Sequence, residues 1–176
     1  MTIIVEDGSI IPNSNSYTSL VNARIVASVY GLTLPADDTD AETALIIGQK
    51  WIKQQESSLQ GLRLEASQSI SYPRTPVYLY GFLLDKNTIP SELIDSQVVA
   101  AVQQGISGDI LASSVGATAS SIKKEQLEGV GTVEYFEGGS AETTSANIKL
   151  ALSLLEPLTE SALSSSGGGF CLQAGC

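Results

Sequence analysis

The residues able to do chemistry in this chain are acids with no base to work against. Glu6-Asp7, Asp37-Asp38-Asp40 and Glu125-Glu128 bring carboxylates close in the sequence, the raw material for paired-carboxylate acid-base work. There is no histidine in the 176 residues, so the commonest general base and the Ser-His and Cys-His pairs are excluded. Cys171 and Cys176 both fall in the last six residues, whereas a closed zinc site takes about four Cys or His ligands. They read as free thiols, because a disulfide framework spreads its cysteines through the domain. No GxxxxGK[ST] loop, no GxGxxG opening a helix and no EF-hand or zincin spacing is present. Gly167-Gly168-Gly169 comes after the last helical stretch, not before one, so it cannot cradle a phosphate on a helix N-terminus. Each acid cluster stands at a turn or a cap, where carboxylates ordinarily cap or are solvated. The expectation is a protein that is not an enzyme, with no cofactor and no metal.

Charge narrows the partners. Nine basic against nineteen acidic residues give a net charge of −10, and the basic ones are scattered along the chain. Nucleic-acid binding by counterion release calls for a basic face, so the balance opposes tight DNA binding. An acidic wall beside DNA has another use, letting a duplex slide past without sticking. No apolar run reaches the length of a membrane span, and Met1 to Asp7 has no basic start followed by an apolar core, so no membrane partner and a cytoplasmic site of synthesis are expected.

With 43% hydrophobic residues but only 6% aromatics, the core must be built from Ile, Leu, Val and Ala, which suits helix-on-helix packing. The expected domain is 1–163, with 164–176 a flexible Ser/Gly tail carrying the small apolar tip of Phe170 and Leu172. Its organising stretch is Gln68 to Pro90, centred on Tyr72-Pro73-Arg74-Thr75-Pro76. The prolines stop a helix, and the many apolar side chains predict a crossing that packs against helices on both sides.

Ile3-Ile4-Val5, closed by Glu6-Asp7-Gly8, predicts an extended arm lying either on its own subunit or on a neighbour. Ser19 caps a first helix running to about Tyr30, with Leu20, Ala23, Ala27 and Tyr30 on one face. A second helix of roughly fifteen residues starts from Asp40 as cap, with Trp51 as core anchor. A third starts at Pro90 as first helical residue, carries Leu93, Ile94, Val98, Ala101 and Val102, and weakens at Gly105 and Gly108. The stretch of about 122–136 predicts a charged β-hairpin projecting from the helices, including Lys123, Lys124, Glu125, Glu134 and Tyr135. A last helix presents Ile148, Leu152 and Leu155, with Ala151 and Leu158 beside them, and ends or kinks at Pro157. The fold class is therefore mainly α: a small helical bundle with a packed Pro-rich crossover loop, a projecting β-hairpin and extended N- and C-terminal arms.

Taken in order, Ile4-Val5-Glu6-Asp7-Gly8, Asn13-Ser14-Asn15-Ser16-Tyr17, Ser19-Leu20, Ala44-Leu45-Ile46, Tyr72-Pro73-Arg74-Thr75, Ile89-Pro90, Gly108-Asp109, Ile122-Lys123-Lys124-Glu125 and Val133-Glu134-Tyr135 resemble a family of tailed-phage proteins. Its members are often labelled DnaT-like single-stranded-DNA-binding proteins and look like head-to-tail connector, or head-completion, proteins. The resemblance runs to about Leu158, and Tyr72 stands where the family usually has tryptophan. It implies a virion protein that forms a homo-oligomeric ring of roughly twelve copies between the portal protein and a tail or neck protein. Genomic DNA would pass through non-specifically, and the protein would sit in the host cytoplasm during assembly and in the virion neck afterwards. The alternative that the label implies is binding of single-stranded DNA. Tyr72, Pro73 and Arg74 are expected to be structural, with Arg74 held against carbonyls or a carboxylate. The hairpin charges, Phe170 and Leu172 are expected to serve assembly.

Overall fold

The structure is a computed structural model that describes residues 2–112, 123–127, 131–135 and 145–162. Four α-helices carry the fold: α1 (Leu20–Val29), α2 (Asp38–Gln54), α3 (Ser91–Ser107) and α4 (Ala146–Leu155). The third is the axis of the bundle, packing against α2, α4 and α1. One face of α3 meets α1 and α2 through a set dominated by small residues, Ala23, Ala27, Ala41, Ala44, Val98, Ala101 and Val102. The other side faces the crossover and α4, where Trp51, Ile52, Leu59, Ile70, Tyr72, Val77, Leu93, Ala151, Leu155 and Leu158 form the larger cluster. The architecture is mainly helical, a small bundle with a short projecting antiparallel β-hairpin and, among the described residues, no closed sheet.

Helix ends follow local chemistry. Ser19 caps α1 by accepting from the Asn22 N–H, and Gly31 takes φ 68 just beyond the last turn. The cap of α2 is Asp37, not the expected Asp40, because the Asp37 carboxylate already receives the Thr39 and Asp40 N–H groups. Asp38 and Asp40 then sit in the first turn and Lys53 in the last, each on the favourable end of the helix dipole. Pro90 is the cap of α3, not its first helical residue: its ψ of 146° is still extended, so the helix begins at Ser91. Nor does α3 weaken at Gly105. It runs on to Gly108, which takes the left-handed conformation, and a Cβ on Gly105 would lie 2.8 Å from the Pro35 ring. That glycine marks a close contact. In α4 the buried face is Ala151 and Leu155, with Leu158 in the following 3-10 turn (Glu156–Leu158), while Leu152, expected inside, is 42% exposed.

The N-terminal arm makes its contacts within its own subunit, with Ile3 packed against the α1, α2 and α3 cluster. Val5 bridges Ser16, and the Glu6 carboxylate, almost fully buried, gathers the N–H groups of Gly8, Ile10 and Ile11 and the Ser14 hydroxyl. The arm is tied to α3 by Gln97, whose Oε1 accepts from the Tyr17 N–H and whose Nε2 donates to Ser16 Oγ and the Leu45 carbonyl.

The crossover has more structure than the prolines suggest. One small antiparallel pair forms within it, β3 (Tyr78–Leu79) with β4 (Phe82–Leu83), another ties its β2 (Arg74–Thr75) to β1 (Leu62–Arg63) in the chain before it, and the Tyr72–Pro73 and Thr75–Pro76 bonds are cis. Beyond α3, β5 (Lys123–Leu127) pairs antiparallel with β6 (Gly131–Tyr135). The turn at 128–130 and the tail at 164–176 lie outside the described residues.

Candidate functional site

The crossover is organised around one carboxylate. Glu56, in a 3-10 turn (Glu56–Ser58) after α2, accepts from Arg63 through both oxygens at 2.5 Å, from Ser71 Oγ at 3.0 Å and from Arg74 Nη1 at 3.1 Å. The hydrogen bonds from Arg63 chiefly hold its pKa down at about 2, with Ser71 and the Arg74 charge adding to the effect. Arg74 spends its remaining donors on backbone: Nε on the Gln60 carbonyl at 2.8 Å and Nη2 on the Gly61 carbonyl at 2.6 Å. Only 7% of Arg74 is exposed. This fork therefore fastens β2 to the chain leaving α2 and offers no cation to a phosphate.

Tyr72 and Pro73 are buried beside it. The Tyr72 N–H donates to Tyr17 Oη, and burial raises the pKa of both phenols. Gln60 joins the crossover to the end of α4, accepting from the Tyr78 N–H and donating to the Tyr78 and Pro157 carbonyls. Stacking on Tyr72 or salt-bridging to Arg74 would require taking this junction apart.

The hairpin register sets Lys123 opposite Tyr135, Lys124 opposite Glu134 and Glu125 opposite Val133. Phe170 and Leu172 lie outside the described residues. The structure brings Tyr72, Pro73 and Arg74 together in the crossover and Lys123, Lys124, Glu125, Glu134 and Tyr135 in the hairpin.

The accessible features are others, and sequence reading missed them. Tyr78, Tyr80, Phe82 and Leu83, expected to pack, are exposed at the β3–β4 tip, with Phe82 77% exposed. On α1 the buried Ala23 and Ala27 define the inner face, and Val21, Ile25 and Val29 stand on the opposite one, all exposed. The signal was legible, since 21, 25 and 29 keep a four-residue spacing that leaves α1 apolar on both faces. A groove of about 240 Å³ lies between the start of α2 and the end of α3, lined by Pro35, Asp40, Thr43, Ile47, Gln104 and Gly105 among others. Among the described residues no three metal-ligating side chains converge, and no helix is long and apolar enough to cross a membrane.

A family model described as "Putative DnaT-like ssDNA binding protein" matches residues 1–175 of the chain. No curated protein and no solved structure matches it.

Proposed function

The chain belongs to this DnaT-like family, and we propose that it serves there as a structural subunit that assembles with copies of itself into the ring joining portal to tail of a tailed phage. The observation that carries this reading is the pair of exposed apolar surfaces, the outer face of α1 and the β3–β4 tip, on a chain of net charge −10. Contiguous exposed apolar area of this kind marks contacts with other macromolecules. The acidic balance suits a wall past which DNA slides. In this reading the partners are further copies, roughly twelve in a closed ring, the portal protein and a tail or neck protein. The subunit waits in the host cytoplasm and ends in the virion neck.

The family description itself favours the second reading, binding of single-stranded DNA, and one feature gives that reading a place. Tyr78, Tyr80 and Phe82 are exposed aromatics on one short hairpin, and stacked rings are how single strands are held without sequence preference. Against it stand the buried Arg74 and the pairing of Arg63 with Glu56, which leave the crossover without a free guanidinium.

The deciding measurement is the mass of the purified protein, alone and with portal, by light scattering. Assembly into a closed multimer on the portal supports the connector. A monomer under both conditions overturns it.

A further inference from the structure

We propose that the β3–β4 tip of one copy seats in the groove between α2 and α3 of the next, so that subunits join head to tail through Tyr80 and Phe82. This rests on the assembling-subunit reading and names its contact.

The tip is built to present rings outward. Tyr80 and Gly81 adopt φ 52 and φ 86, the pair of positive values that closes a two-residue hairpin turn between Leu79 and Phe82. That turn's first position normally holds Asn, Asp or Gly, because a bulky side chain is disfavoured in the left-handed region. Here it holds a tyrosine 72% exposed, whose ring contributes little to its own subunit's core. A strained, exposed aromatic of this kind fits a contact made outside the subunit.

A tip cannot fill its own subunit's groove. Tyr80 Oη donates to Glu92 in the first turn of α3, whereas Gln104 and Gly105, in its last turn, line the groove. Twelve residues of helix separate the two ends, roughly 18 Å at 1.5 Å per residue. Knob and hole thus stand at opposite ends of the bundle's axis, the arrangement that makes a heterologous contact and a chain of subunits able to close.

Size and charge agree with this occupant. At about 240 Å³ the groove falls below the roughly 300 Å³ from which small-molecule sites begin, yet it has room for an aromatic ring. Its walls are Pro35, Ala44, Ile47 and Gly105, with Asp40, Thr43 and Gln104 as polar partners, a lining that accepts a tyrosine's apolar body and its hydroxyl. Lys86 follows the tip and forms no ion pair among the described residues, while the Asp40 carboxylate in the groove also forms none. Tip on tip would instead set the two copies' Asp85 and Glu92 near each other, and groove on groove would oppose their Asp40 carboxylates.

The test uses the full chain and two variants, one with Tyr80→Ser and Phe82→Ser to remove the knob, one with Thr43→Arg to fill the groove. Circular dichroism checks that each is folded, and Phe82→Asp alone replaces the double variant if that one is not. Sedimentation velocity is then run over a wide concentration range, with and without portal. The expected result is that the wild-type chain forms species larger than a dimer, that each variant alone stays monomeric, and that an equal mixture stops at a heterodimer with one live knob in one live groove. If either folded variant assembles as the wild type does, this contact is wrong and the assembling reading stands. A wild-type species that saturates as a dimer overturns the head-to-tail order. A wild-type chain monomeric alone and with portal overturns the assembling reading itself.

Discussion

Gly48 of α2 lies against the Gln97 carbonyl of α3 so closely that a Cβ on residue 48 would fall 2.6 Å from that oxygen and 3.1 Å from the Ala101 nitrogen. The obstacle is backbone on the central helix, which cannot rotate aside. Gly48→Ala gains the helix propensity of alanine, about 1 kcal/mol, but must push α2 off α3. Separation of the two also strains the Gln97 bond to the Leu45 carbonyl. The expected outcome in urea unfolding is a net loss of about 1–3 kcal/mol. A variant more stable than the wild type would show that the helices yield at no cost.

Arg74 ties three chain segments together, so its replacement should act on stability. Arg74→Ala leaves the Gln60 and Gly61 carbonyls without this donor and takes from Glu56 one of its two arginines, the other, Arg63, still bonding both its oxygens. The expected loss is about 2–4 kcal/mol, from unsatisfied buried acceptors and a weakened ion pair. Arg74→Lys should recover little of it, because an ammonium cannot reach two carbonyls and a carboxylate from the positions of a planar fork. Thermal melts of the three proteins decide this, and a lysine variant equal to wild type would argue against the fork.

Much of this was legible beforehand, and the exceptions have physical causes. Helix positions came from caps and periodicity: Ser19 with Gly31 bounds α1, and the 3.6-residue recurrence through Trp51 outlines α2. The Asp37 cap was missed because three aspartates within four residues all look like caps, and only geometry decides which carboxylate faces the free N–H groups. Glu6 and Gln97 were unreadable for another reason. Each is a polar residue whose burial depends on how the chain folds around it: a loop without periodic pattern turns the N–H groups of Gly8, Ile10 and Ile11 onto Glu6, and Gln97 reaches the distant Ser16 and Leu45. The crossover misled through composition alone: its many apolar and aromatic side chains suggested packing throughout, but Tyr80-Gly81 turns the chain back and carries Tyr80 and Phe82 into solvent.

Glu56 predicts a stability change with acid. Its carboxylate is held at about 2 in the folded chain against an ordinary 4.5, so it favours the folded state above 4.5, and that contribution is lost as pH falls toward about 2. Glu56→Gln should therefore be less stable than wild type at neutral pH, with the gap closing between pH 4.5 and 2. Melting temperatures of both proteins across that window give the answer. A gap that stays constant would mean that the Glu56 charge contributes nothing through its arginines.

The outer face of α1 separates assembly from folding. Val21, Ile25 and Val29 point away from the buried Ala23 and Ala27, so Ile25→Glu should alter monomer stability by no more than about 0.5 kcal/mol. If this face is buried between subunits or on the portal, the same change lowers the assembled fraction while the melting temperature of the monomer holds. A drop in melting temperature comparable to that of a core substitution would place Ile25 in the subunit's own interior instead.

Single-stranded DNA supplies the test on which the two readings of the family part. Without a free guanidinium in the crossover and with a net charge of −10, binding should be weak and should vanish with modest salt, since few counterions can be released. What binding remains would come from stacking on the β3–β4 tip, worth about 1–3 kcal/mol per base where rings are available. Tyr80→Ala with Phe82→Ala should then remove it, whereas Arg74→Ala should change it only as far as it unfolds the crossover. Fluorescence anisotropy with a labelled oligonucleotide, repeated along a salt series, measures both. Nanomolar affinity at physiological salt would sink the connector reading and establish the tip as a DNA site. Weak binding that ignores the tip substitutions would leave the aromatics to a protein partner, and the loss of assembly in the same variants would identify it as another copy of the chain.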